Sequence, residues 1–136
     1  MLQYLALLFT SALFGGMLLF SFGFAPIVFH ALSSDEAGKF IRIAFPWYYI
    51  FIILTAALSF LTLLPLNSIS ATLMAGILVI GIFARQFLMP KINTFRDLQL
   101  KGDKKAGGYF AKLHALSVFL NFSQLAITGY ILICFL

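Results

Sequence analysis

Uncharged apolar stretches, longer than a water-soluble core requires, constrain this chain more than any motif does. No Lys or Arg precedes Lys39, and none lies between Arg42 and Arg85. A helix needs about 20 predominantly apolar residues to cross a hydrocarbon core, and the runs here exceed that. Composition agrees: 62% of residues are hydrophobic and 10% are charged, whereas a soluble domain is roughly 25% charged. The 136 residues predict a single all-α domain, an integral membrane four-helix bundle in up-down order.

Four spans are expected, at about residues 2–29, 46–64, 69–89 and 109–135. The first is too long, and its start too uncharged, for a cleaved signal peptide, which has a basic start and an apolar stretch of about 7–15 residues. It should persist as a helix that Pro26 bends or ends. Ser11 with Gly15 and Ala12 with Gly16 form small-xxx-small pairs that permit close approach of another helix. Ser33 and Glu36 form a capping-box pattern, with Asp35 in the first turn, so a helix should start there and enter the membrane through Pro46. Phe45, Trp47, Tyr48 and Tyr49 cluster where an interfacial aromatic belt would sit. Pro65 to Ser68 read as a short turn. Pro90 should interrupt the third span, leaving residues 91–108 as a basic loop with a flexible tip at GDKKAGG.

Charge position predicts orientation. All nine Lys and Arg lie in or beside the first-to-second and third-to-fourth connections. By the positive-inside rule those connections, about residues 30–45 and 90–108, are cytoplasmic and both termini are extracytoplasmic. Lys101, Lys104 and Lys105 should meet anionic lipid headgroups. The net charge of +5 therefore reads as membrane-surface charge, not as a nucleic-acid footprint. The two halves also resemble each other: AP…DEAGKF at 25–40 parallels MP…KKAGGYF at 89–110, a tandem repeat of two helical hairpins. Short spans enclose little volume, so a homo-oligomer or a membrane partner is a natural expectation.

The chemistry-bearing residues concentrate in the fourth span. His114, Ser117, Asn121, Gln124 and Thr128 recur at steps of three and four, one stripe of a helix. Lipid cannot satisfy such groups, so the stripe should face other helices. Arg85, Gln86 and Asn93, at the end of the third span, are candidates to join it. Arg85 either snorkels to the headgroups or turns inward, and Asp97 has Lys112 or the neighbours of Arg96 as candidate ion-pair partners. His114, with His30 at a similar depth, is a candidate haem or metal ligand, whereas most metal sites need three or four ligands. The lone Cys134 reads as a small hydrophobe. No paired carboxylates, phosphate loop or nucleophilic triad appears, which disfavours an enzyme, and the sequence names no cofactor. The leading functions are a small transporter component or a membrane scaffold with a polar inter-helix seam. The alternative is a haem- or metal-binding redox protein using His114.

Three blocks, FGGMLLFSFGFAPIVFHALSSDEAGKFIRIAFPWYY, LMPKINTFRD and YFAKLHALSVFLNF, resemble the transmembrane protein 205-like family, filed largely as a domain of unknown function. The resemblance covers roughly residues 12–125. Its pattern falls on Gly15, Gly16, Pro26, Pro46, Tyr48, Pro90, Asn93, His114, Ser117 and Asn121. Ala115 stands where the family usually has glycine, and His30 where it usually has a different residue. The resemblance implies four spans and no particular chemistry.

Overall fold

The computed structural model describes residues 1–135. They form four long helices: α1 (Leu2–Ala31), α2 (Ser34–Leu63), α3 (Ser68–Leu100) and α4 (Lys104–Ile133), each long and apolar enough to cross a membrane. Thirty residues of helix measure about 45 Å at 1.5 Å per residue, so each extends past a hydrocarbon core of about 30 Å. The fold is an all-α four-helix membrane bundle, and the chain is an integral multi-pass membrane protein. Each helix packs against the next, and α4 closes the ring against α1.

Local chemistry sets the turns. Ser33 caps α2 with the full reciprocal box: Glu36 N–H donates to Ser33 Oγ, and Ser33 N–H donates to Glu36 Oε2 at 3.2 Å. Asn67 Oδ1 caps α3 by accepting from Ile69 and Ser70 N–H at 3.1 and 3.0 Å. α3 ends where Gly102 adopts φ +97°, a left-handed conformation that glycine adopts without steric cost. Gly102 N–H then reaches Gln99 O, and Asp103 N–H reaches Leu98 O, at 3.0 and 3.1 Å, the paired bonds of a Schellman ending. Asp103 Oδ1 immediately caps α4 by accepting from Lys105 and Ala106 N–H.

The expectation that Pro90 interrupts the third span needs correction: α3 continues through it. Pro26, expected to bend or end the first helix, does not end it. Proline lacks an N–H and crowds the carbonyl four residues back. In both helices a wider π segment precedes the proline and absorbs the conflict: Leu19–Phe24 before Pro26, and Ala84–Leu88 before Pro90. Each proline then occupies the first turn of the continuing α-helix, where its missing N–H costs little. Residues 91–100, expected as loop, are therefore helical, as are Lys104 to Gly108 of the expected flexible tip. The basic connections shrink to tight turns at Leu32–Ser33 and Lys101–Asp103. The π-then-proline device falls once in each hairpin, at the places where the two halves of the sequence match.

The core follows from spacing. Ala6, Thr10, Leu13 and Met17 line the inner face of α1, and all four are fully buried. They meet Ile52, Ala56 and Ser59 of α2 and Met74 and Ile77 of α3, also fully buried. Thr10 and Ser59 share a hydroxyl–hydroxyl hydrogen bond across α1 and α2, and Thr10 Oγ1 also reaches Ala6 O at 2.7 Å. Gly16 admits the Phe51 ring, which a Cβ there would strike, whereas Gly15 meets nothing. The Ser11–Gly15 pair faces outward, away from the bundle. Of the expected aromatic belt only Trp47 is largely exposed, at 70%. Tyr48 and Tyr49 are core residues instead, both buried, and Phe20 of α1 stacks on Tyr48 with ring centroids 3.9 Å apart.

Candidate functional site: a cleft between two helical hairpins

The bundle is not uniformly packed along its length. α2 packs along Ser68–Phe83 and more thinly along Ala84–Leu88, but beyond Leu88 the segment Met89–Leu100 packs on α4 instead. Likewise α4 packs on the Leu2–Leu18 part of α1. Past the π segments the hairpins α1–α2 and α3–α4 diverge. A cleft opens between them at the cationic end.

Its outer chamber has a volume of about 320 Å³. α2 contributes Ser34, Arg42 and Tyr49, α3 contributes Asn93 and Arg96, and α4 contributes Phe110, His114 and Ser117. An inner chamber of about 210 Å³ shares Phe45, Tyr49, His114 and Ser117 with the outer one and reaches down to Phe20, Ser21, Tyr48 and Asn121. The two adjoin through these shared walls; the outer one is lined by charged groups and the inner one is largely aromatic.

The mouth is held by an ion pair. Arg42 Nη2 donates to Asp97 Oδ1 at 2.7 Å, Arg42 Nη1 donates to Oδ2 at 3.3 Å, and Nη2 also reaches Asn93 O at 3.4 Å. Asp97 thus pairs across the hairpins with Arg42, not with Lys112 or a neighbour of Arg96. Arg96 is placed by neutral partners. Its Nη1 donates to Gln99 Oε1 at 2.9 Å, and its guanidinium carbon lies 5.3 Å from the centre of the Phe110 ring. Gly107 makes room for Gln99: a Cβ there would lie 3.0 Å from Gln99 Nε2.

The floor is a three-helix junction. Tyr48 Oη donates to Asn121 Oδ1 at 2.7 Å, and Asn121 Nδ2 donates to Ser21 Oγ at 2.9 Å. Both polar ends of the Asn121 amide are thereby satisfied by α2 and α1, as a group facing hydrocarbon demands. One turn deeper, Gln124 is 1% exposed, and two turns deeper Thr128 is fully buried. Gln124 Nε2 donates to Ile77 O at 3.0 Å, and Thr128 Oγ1 donates to Gln124 O at 2.7 Å.

The stripe on α4 is therefore divided. Gln124 and Thr128 are dry and packed, Asn121 joins three helices, and Ser117 and His114 open onto the cleft. His114 is exposed at the rim, its ring stacked beside Phe110, and Ser117 Oγ bonds to His114 O. His30 is exposed and does not line the cleft, so the two histidines do not share this site. No group of three or more His, Cys, Asp or Glu positioned for a metal ion occurs among the described residues. Arg85 and Gln86 also lie off the cleft lining. Gln86 is exposed, while Arg85 is half-buried in the second π segment with its Nε buried and unpartnered. Lys101, Lys104 and Lys105 are exposed at the α3–α4 turn. Arg42, Ser21 and Phe110 are site residues that sequence spacing did not single out, and Asp97, expected in an ion pair, has a partner that spacing did not name. Their partners lie up to 100 residues away, beyond any local pattern.

Residues 8–100 match the family model described as Domain of unknown function (DUF4149). The chain belongs to that family. The match covers most of α1 and all of α2 and α3, so three walls of the cleft and the Arg42–Asp97 pair lie within the DUF4149 region. The fourth wall, with Phe110, His114, Ser117 and Asn121, lies beyond it. No curated protein and no solved structure matched this chain.

Proposed function

We propose that this DUF4149 protein is a binding component of a membrane transport or trafficking system, taking a small molecule into the cleft between its hairpins. One observation carries the reading: the cleft ends on a packed belt. Leu13, Met17, Ile52, Met74, Ile77 and Thr128 are all fully buried beneath it, with Gln124 among them. A separate cavity of about 260 Å³ at the opposite end, lined by Gln3, Asn67 and Ser70 among others, lies beyond that belt. A single chain is thus a receptacle closed at its base, not a conduit. The polar seam below Asn121 acts as glue between helices, with bonds worth about 0.6–2 kcal/mol each.

Orientation belongs to the same proposal. The completeness of the charge asymmetry supports a cytoplasmic cleft mouth and extracytoplasmic termini. The kinship suggested by the glycine, proline and histidine motifs, to transmembrane protein 205-like proteins, fits a four-span protein of this kind.

Cysteine accessibility tests it. In a Cys134→Ala background, Ser117→Cys should react with a membrane-impermeant maleimide, and Thr128→Cys should not. Equal reaction at both positions would mean a continuous aqueous path through the chain and would refute the receptacle.

A further inference from the structure

We infer that the occupant of the cleft is a single-chain, carboxylate-headed amphiphile, bound with its head at Arg96 and its chain along the aromatic depth. This rests on the binding reading above and adds the chemical class.

Charge at the mouth carries the first half. Two guanidiniums and an imidazole line the outer chamber, and among the described residues no carboxylate does. Asp97, outside the lining, answers only Arg42. Arg96 has no carboxylate partner among the described residues, being tied to the Gln99 amide and the Phe110 face, both neutral. A guanidinium is a planar fork of donors matched to carboxylate and phosphate alike. A single guanidinium without a carboxylate partner, beside one already paired with Asp97, suits a singly charged carboxylate better than a more highly charged phosphate. Arg96 spends one donor nitrogen on Gln99, and its remaining N–H groups are free to bind an anion. Asn93, Ser34 and Ser117 add neutral hydrogen-bonding groups around the same space.

The polarity of the depth carries the second half. Beyond the residues shared by both chambers, the inner lining is Phe20, Ala25, Val118 and Phe122 with three polar groups, Ser21, Tyr48 and Asn121. Those three are bonded to one another, so they ask nothing of an occupant. What remains is an apolar slot. Val118 and Phe122 are 40% and 43% exposed, so the slot borders the lipid-facing surface and a chain can enter sideways from the bilayer. The outer chamber, at about 320 Å³, lies at the bottom of the range of ligand pockets, about 300–1,000 Å³, and the inner one, at about 210 Å³, lies below it, which fits one acyl chain better than two.

The test uses the full chain in nanodiscs of neutral phosphatidylcholine. Three photoactivatable probes are compared: a C16 fatty acid with a mid-chain diazirine, the matching alcohol, and a two-chain phosphatidic acid with the same group. Crosslinked peptides are mapped by mass spectrometry. The acid should label the Phe20–Phe29 and Leu116–Phe122 peptides. The alcohol, and the acid with Arg96→Gln, should label them about tenfold less, the loss expected for a charge-assisted contact. Arg96→Lys should retain part of the labelling, and equal melting temperatures identify variants that remain folded. Equal labelling by acid and alcohol, undiminished labelling of a folded Arg96→Gln, or preference for the two-chain probe overturns the inference while leaving the cleft a binding site. Labelling of cleft peptides no greater than that of the lipid-facing peptide around Val79 by every probe overturns the binding reading as well.

Discussion

Arg42 and Asp97, 55 residues apart, meet at 2.7 Å and join the two hairpins where their backbones have separated. The pair is the charged contact between α2 and α3 above the π segments, and it sits at the mouth of the cleft. Its side chains are 42% and 49% exposed, so water screens it.

Its removal should accordingly change shape more than stability. Arg42→Gln and Asp97→Asn should each destabilise the protein modestly, with a coupling energy of about 0.2–1 kcal/mol in a double-mutant cycle. Spin labels on Gly38 and Lys91 should report a broader inter-hairpin distance distribution in either single variant. Reversing the pair with Arg42→Asp and Asp97→Arg together should narrow it again.

The Tyr48–Asn121–Ser21 junction makes a sharper prediction. Tyr48→Phe removes the donor to Asn121 Oδ1 and leaves a half-buried amide oxygen unpaired, at a cost of about 1–3 kcal/mol. Tyr48→Phe combined with Asn121→Leu should lose less than the two single changes added together, because neither the Tyr48 hydroxyl nor the Asn121 amide is then left without the other, and only Ser21 Oγ loses its partner. Unfolding in mixed micelles measures both.

Gln124 separates hydrogen bonding from packing. Gln124→Leu keeps most of the volume and gives up the bond to Ile77 O, so it should lose about 0.6–2 kcal/mol. Gln124→Ala also leaves a cavity in the belt and should lose more, approaching the range of about 2–5 kcal/mol for large-to-small core changes. The same unfolding assay ranks them.

Topology has its own check. With Cys134 replaced by Ala, Lys101→Cys at the α3–α4 turn should be labelled by an impermeant thiol reagent only from the cytoplasmic side. Leu66→Cys, in the α2–α3 turn, should be labelled only from the opposite side. The reverse pattern would invert the proposed orientation.

Much of the fold is legible in the sequence because its signals are local. Four apolar runs give four helices. Ser33 with Glu36 marks a helix start because the capping partners lie three residues apart. Pro90 misleads for the same reason: a rule about a single residue does not foresee a compensating turn just upstream. Half of the site is legible in the same way. The stripe from His114 to Thr128 is visible from spacing, but spacing cannot say that its lower part is packed dry while its upper part opens onto a cavity. That difference arises where the hairpins part. Arg42 with Asp97, and Ser21 with Asn121, become neighbours only through that tertiary arrangement.

The π turns have one more implication. Each accommodates a supernumerary residue, so the helix above runs out of phase with the helix below. Deleting one residue from Ala84–Leu88 would restore a regular 3.6-residue winding and swing everything beyond it by about 100°. Asn93 and Arg96 would rotate off the cleft while Met74 and Ile77 kept their places. The angular setting of the cleft wall is thus tuned independently of the core that supports it, by an insertion no longer than one amino acid.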